Sequence, residues 1–236
     1  MLQYLVVTNI YLRILVNNFF ISLMVYFTRV LSNFKYALVK NFDYTPLLLT
    51  KNKNITNASC IVVWYNPKKD NYHYLIQKRS NYMKNGKGKL AIGGGMLEDY
   101  DLTLQYGATR EILEETQIKF KKFNLTMKEK TIKQISKHLF YLSHDKTNYT
   151  FYLILSSNKM PQWNGPINKN IHPFKESVKE IDLEDNLWNN KKLANRIKNG
   201  HCFMKKDEII EHYNKSPQIW FYSRISLEKL FNILEK

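Results

Sequence analysis

A chain of 236 residues, 44% hydrophobic and 24% charged, is long enough to bury a full core and too apolar to be disordered. Its formal net charge of +16 points to polyanionic partners, nucleic acid first, although lysines spread along the whole chain also suit a sequence simply rich in Lys, Asn, Ile and Tyr. Two cysteines without CxxC spacing, Cys60 and Cys202, exclude a disulfide framework and a cysteine zinc site, and suit a reducing, intracellular and cytoplasmic setting.

Residues 1–31 form an apolar N-terminal extension interrupted by Arg13 and Asn17-Asn18. Its uncharged run from Ile14 to Thr28 is 15 residues, short of the roughly 20 that span a bilayer. No early basic region or small-residue cleavage site marks a signal peptide. A packing helix, or an internal start at Met24, is the expectation over a membrane anchor. Residues 32–236 are read as one domain that includes the C-terminal helices.

Within that domain Tyr44-Thr45-Pro46 reads as a turn and Leu47–Thr50 as a short strand. Ser59–Tyr65 is a β-branched and aromatic run, hence a buried strand. Asn66–Asn71 carries turn residues, and Tyr72–Arg79 returns as the second strand of a hairpin. Residues 80–89 form a loop, Lys89–Ile92 a short strand, and Gly93–Gly95 a glycine loop. A helix follows from about Thr103, a capping residue, to Thr116. Gln117 can end it, although a left-handed cap suits glycine better. Gly107 and Ala108 are small where that helix is to lie close to the sheet, and Ile112 is to face the core.

Beyond it, Phe120–Lys133 and Ile135–Leu142 are expected as strands, and Tyr149–Ser156 as a firmer one. Residues 157–173 read as a long loop in which Trp163 plugs a core edge or stacks a base. Glu176–Leu183 alternates like a strand, and a helix is expected around 188–198. Lys205–Tyr213 reads as a helix, Trp220–Tyr222 as an extended piece and Leu227–Leu234 as a terminal amphipathic helix. His172, His201 and His212 lack ligand spacing and are structural or on the surface.

The chemistry sits on the helix after the glycines. At 100° per residue Glu111, Glu114 and Glu115 fall within an arc of about 100°. Such carboxylates repel, by roughly 0.2–0.5 kcal/mol per i,i+4 pair. A hard divalent cation turns that cost into a gain. Arg110, one turn before Glu114, can hold that carboxylate in place. The glycines let backbone approach a ligand closely.

This stretch resembles the Nudix box, G-x5-E-x7-R-E-U-x-E-E-x-G-U, where U is aliphatic. Gly95 matches the leading glycine, and Arg110-Glu111-Ile112, Glu114-Glu115 and Ile118 match the second half. Asp101 stands where the family has Glu, eight residues rather than seven separate it from Arg110, and Gln117 replaces the late Gly. Glu98 and Asp101 fit the GGxxExxE pattern, which places the extra residue around Leu102. The chain also resembles the compact Nudix enzymes of large insect DNA viruses.

The resemblance implies an α/β Nudix fold, a mixed sheet between helices with a loop–helix–loop box. It further implies hydrolysis of a nucleoside diphosphate linked to another moiety, ADP-ribose favoured. Mg²⁺ or Mn²⁺ is then held by Glu111, Glu114, Glu115 and the Gly95 carbonyl. Lys78, Arg79 and Glu98 are candidates to bind substrate, and Glu176 or Glu180 to act as general base if no box glutamate does. Decapping of mRNA along a basic surface and a non-catalytic RNA-binding module are the competing readings. Neither oligomeric state nor a membrane role follows from the sequence.

Overall fold

The computed structural model describes residues 37–48, 55–80, 85–118, 129–163, 196–198 and 200–235. An eight-stranded mixed sheet runs through it: β1 (Ala37–Leu38), β2 (Asn57–Asn66), β3 (Asn71–Lys78), β4 (Leu90–Ala91), β5 (Gly93–Met96), β6 (Phe140–His144), β7 (Asn148–Ser156) and β8 (His201–Met204). Helix α1 (Leu104–Thr116) follows β5 and α2 (Glu129–Ser136) precedes β6, while α3 (Lys206–Glu211) and α4 (Phe221–Leu234) follow β8. The sheet's path is β1-β7-β2-β3-β4, with β5 added to β2, β6 to β7 and β8 to β3. The β2–β7 pair is parallel; the other pairs are antiparallel.

Strand β2 is the axis. It is almost continuously buried because both of its faces are covered, which is why it reads as an unbroken apolar run rather than an alternating one. Ala58, Cys60, Val62 and Trp64 enter one core with Ile112 and Leu113 of α1 and Ile132 and Ile135 of α2. Ile61, Val63 and Tyr65 enter a second core with Ile209 of α3 and Leu227, Leu230 and Phe231 of α4. Helices thus cover both faces of a mixed sheet, the α/β architecture expected.

The sheet splits where the site lies. β2 and β3 pair over Val63–Asn66 and Asn71–Tyr74. Further along, β2 pairs with β5, Cys60 opposite Gly93, and β3 pairs with β4, Gln77 opposite Ala91. The chain from β4 to β5 wedges into this fork. The three glycines are therefore a strand rather than a loop, since β2 supplies a ladder that local propensity does not reveal.

Other expectations need correction. Residues 129–136 are a helix, not part of two strands: Ile132 and Ile135 stand three apart and face the core, with Glu129 and Lys133 paired on the outside. Among the described residues of that region, Phe140–His144 is the strand. Helix α4 begins at Phe221, so the extended piece is Gln218–Trp220, which bonds to Leu90 on both sides. Gly107 faces Leu97 and Asp101 rather than the sheet. Trp163 does plug the core, edge-on to Phe203 and donating Nε1–H to the Lys198 carbonyl. His201 and His212 are buried, whereas His172 lies outside the described residues, as do the strand expected at 176–183, most of the helix expected at 188–198, and residues 1–31. Among the described residues no helix is long and apolar enough to cross a membrane.

Candidate active site

The box helix is held at both ends. Thr103, extended at φ −144°, accepts the Tyr106 N–H on its Oγ1 at 3.0 Å. Gln117 closes the helix in the left-handed region, φ 44° and ψ 43°, its N–H donating to the Leu113 carbonyl. Ala108, Ile112 and Leu113 are pressed into the first core, which fixes the helix's rotation. Arg110, Glu111, Glu114 and Glu115 are thereby carried against β5 and the turn that follows it.

Arg110 is the hub. Its Nε and Nη2 grip Asp101 with two bonds of 3.0 and 2.9 Å. Its Nη1 donates to Glu111 at 2.7 Å and to Glu114 at 3.1 Å, and its Nη2 also donates to the Met96 carbonyl at 2.8 Å. All five guanidinium N–H groups are thus engaged. Burial works against the Arg110 charge, but the Asp101 hydrogen bond and the fields of Glu111, Glu114 and Asp101 outweigh it and hold its pKa above the ordinary value.

Asp101 therefore reaches Arg110 despite a side chain shorter than Glu and the extra residue between them. It also accepts the Glu98 N–H at 2.9 Å while its own N–H donates to the Glu98 carbonyl, which ties off the turn after β5. Leu102, where the extra residue is expected, is exposed. The sequence flagged Asp101 for its position and missed its partner, although only eight residues separate it from the only cation in the box.

The glycines bring the strand up to the carboxylates. Gly94 donates its N–H to Glu115 Oε2 at 3.1 Å. A Cβ on Gly93 would stand 2.7 Å from that same oxygen, and one on Gly95 would collide with the Glu111 carboxylate. Any side chain here would fill the space beside the acids. One guanidinium bonds three carboxylates, Glu115 adds a fourth against β5, and Asp101, Glu114 and Glu115 are buried. Oxygen donors in negative excess, with room kept beside them, fit a hard divalent cation. The oxygens do not converge on one point: among the described residues no three acids, histidines or cysteines form a ready metal cage. Glu111, at 12% the most exposed of the three, holds Arg110 at 2.7 Å.

Gly95, Glu98, Arg110, Glu111, Glu114 and Glu115 are thus gathered in one place. Lys78 and Arg79 stand at the end of β3, across the fork from β5. Lys78 is fully buried and, by strand alternation, shares the face of Tyr74 and Ile76, which α4 covers. The Arg79 guanidinium lies 4.3 Å from the centre of the Trp220 ring. Glu176 and Glu180 lie outside the described residues. Cys60 and Cys202 are buried, and burial pushes both thiols up, Cys202 to about 12, so neither is a nucleophile at neutral pH.

Comparison with known proteins gives the arrangement a family. The model of the NUDIX domain matches residues 55–197, more than half of the chain. No curated protein matches. Among solved structures, T. brucei MERS1 in complex with RNA aligns at 12% identity and a TM-score of 0.47, over 76% of this chain and 62% of that one. The NUDIX domain of Shewanella oneidensis NrtR with ADP ribose aligns at 12% identity and a TM-score of 0.40, over 81% and 90%. A bifunctional NMN adenylyltransferase/ADP ribose pyrophosphatase of Francisella tularensis, complexed with AMP and a manganese ion, aligns at 20% identity and 0.31, over 72% and 42%. The chain spans about three fifths of the length of MERS1. The domain match covers the fork, the glycine strand and the box helix together, and the chain belongs to the Nudix family of hydrolases.

Proposed function

We propose that this protein is a metal-dependent pyrophosphohydrolase that cleaves a nucleoside diphosphate linked to another moiety, with ADP-ribose the favoured substrate. The observation that carries the reading is the buried excess of carboxylate over guanidinium, set against a strand with no side chains in the way.

In this reading Glu111, Glu114, Glu115 and the Gly95 carbonyl hold Mg²⁺ or Mn²⁺. An ion held there would supply Lewis acidity toward the diphosphate and the attacking water and would offset charge at the leaving oxygen. The chain's own groups do the positioning. Arg110 keeps Glu114 in one rotamer, and the Gly94 N–H keeps Glu115 in another. Glu98 borders the turn beside the acids, and Arg79 at the end of β3 meets the phosphates, whereas Lys78, buried on the face that α4 covers, does not reach them. Water adds to one phosphorus as the bond to the bridging oxygen breaks. A glutamate oxygen takes the water's proton, from the box or from Glu176 or Glu180.

A second reading, hydrolysis of capped RNA, is favoured by the net charge of +16 and by the aromatic and basic surface described below. Turnover with manganese on ADP-ribose, capped RNA, dinucleoside polyphosphates and nucleoside triphosphates separates the two. Cleavage of free ADP-ribose with little salt dependence supports the first; activity that needs an RNA body and collapses with salt supports the second. Glu115→Gln should lower turnover on the preferred substrate by at least about a hundredfold while the fold survives. Near-wild-type rates in that variant would refute the assignment.

A further inference from the structure

We propose that the surface around the start of α4 binds a single nucleic-acid strand and leads it toward β5 and the acids beside it. Trp220, Phe221 and Tyr222 are consecutive, and Phe221 and Tyr222 are 62% and 60% exposed. Large rings so open to water call for a partner. Tyr222 meets Trp220 and Phe221 edge to face, with interplanar angles of 78° and 73°, so those contacts stack no ring flat on another. Faces left in that way suit unstacked bases.

Cations surround the rings. Arg79 lies over Trp220, Arg224 lies over Tyr213, and a Cβ on Gly86 would touch both Arg79 and Trp220 at 3.3 Å, which packs the 85–89 turn with its Lys87 and Lys89 against the same patch. Arg224 is paired with Glu228. Among the described residues no carboxylate lies within ion-pair distance of Lys87 or Lys89. Rings interleaved with positive charge, on a protein of net charge +16, complement a strand that offers bases and phosphates together.

The patch is tied to the site through the backbone. The Trp220 N–H donates to the Leu90 carbonyl at 2.7 Å, and the Ile92 N–H donates to Ser223 Oγ at 3.2 Å. Ile92 is followed by Gly93, and Gly95 is about 10 Å further along extended chain. Only this placement rests on the hydrolase reading; the binding does not.

The test is fluorescence anisotropy of a labelled twelve-nucleotide RNA with the full chain in EDTA, where no hydrolysis can occur. The expected result is binding that weakens with salt, prefers the single strand to the matching duplex, and weakens about tenfold or more in Phe221→Ala/Tyr222→Ala. Circular dichroism checks that this variant folds, and Lys87→Ala/Lys89→Ala should reduce the salt slope. Binding within twofold of wild type in the aromatic variant, or equal affinity for duplex, would overturn the proposal. Loss of turnover in Glu115→Gln with RNA binding intact separates this surface from the chemistry.

Discussion

Arg110 and the glycines set against Glu111 and Glu115 show how single residues shape the site. Asp101 takes the guanidinium in two bonds, which leaves only Nη1 to share between Glu111 and Glu114. A lysine would offer one point charge and lose that geometry. Gly94 and Gly95 look alike in sequence and should fail differently. Gly94 sits at φ 142°, and its Cβ would stand 2.7 Å from the Ala58 carbonyl oxygen of β2, a backbone atom that cannot move aside. Gly94→Ala should therefore lower the melting temperature by several degrees. On Gly95 the obstacle is the flexible end of Glu111, so Gly95→Ala should fold normally and lose at least about tenfold in turnover because Glu111 is displaced. Thermal melts beside rate measurements check both, and equal effects on fold and rate would contradict the distinction.

At the scale of the element, α1 is a strained but well-placed helix. Gln117 adopts φ 44°, where a side chain costs free energy and glycine does not. Gln117→Gly should stabilise the protein by about 0.5–1 kcal/mol, read from denaturant midpoints at unchanged m-value. This cap, the Thr103 cap, and the Arg110–Glu114 contact were all legible in the sequence, because each depends on neighbours within one helical turn. What was not legible depends on distant partners. The glycine run is a strand only because Ala58–Cys60 supplies its ladder, and Asp101 has a role only because the turn after β5 folds back onto Arg110. Residues 129–136 were misread for another reason: their lysines hide a short apolar period of Ile132 and Ile135. The α4 boundary shifted because Phe221 and Tyr222 have strand-like side chains that the helix leaves in solvent.

In the whole molecule two cores flank one sheet, and the site lies at the fork where the sheet opens between them. Burial has a cost in acid. It is the first cause that holds His73, His138 and His212 below the ordinary 6.5, against weaker opposing contacts such as the hydrogen bond that His138 Nδ1 makes to the Val39 carbonyl. The unfolded chain then takes up these protons first. Stability from the three groups is complete above pH 6.5 and is lost as pH falls through the folded values. Melting temperature should fall between pH 7.5 and 5, and replacing the three histidines with glutamine should flatten that slope; an unchanged slope would count against it.

The central claim is that the acids of α1 gather to bind a divalent ion. Titration of the protein with manganese, followed by electron paramagnetic resonance of the free ion, tests this most directly. We expect saturable binding in the wild type and at least about a tenfold weaker affinity in Glu111→Gln/Glu115→Gln. Equal affinity in a double variant with an intact circular dichroism spectrum would contradict the account.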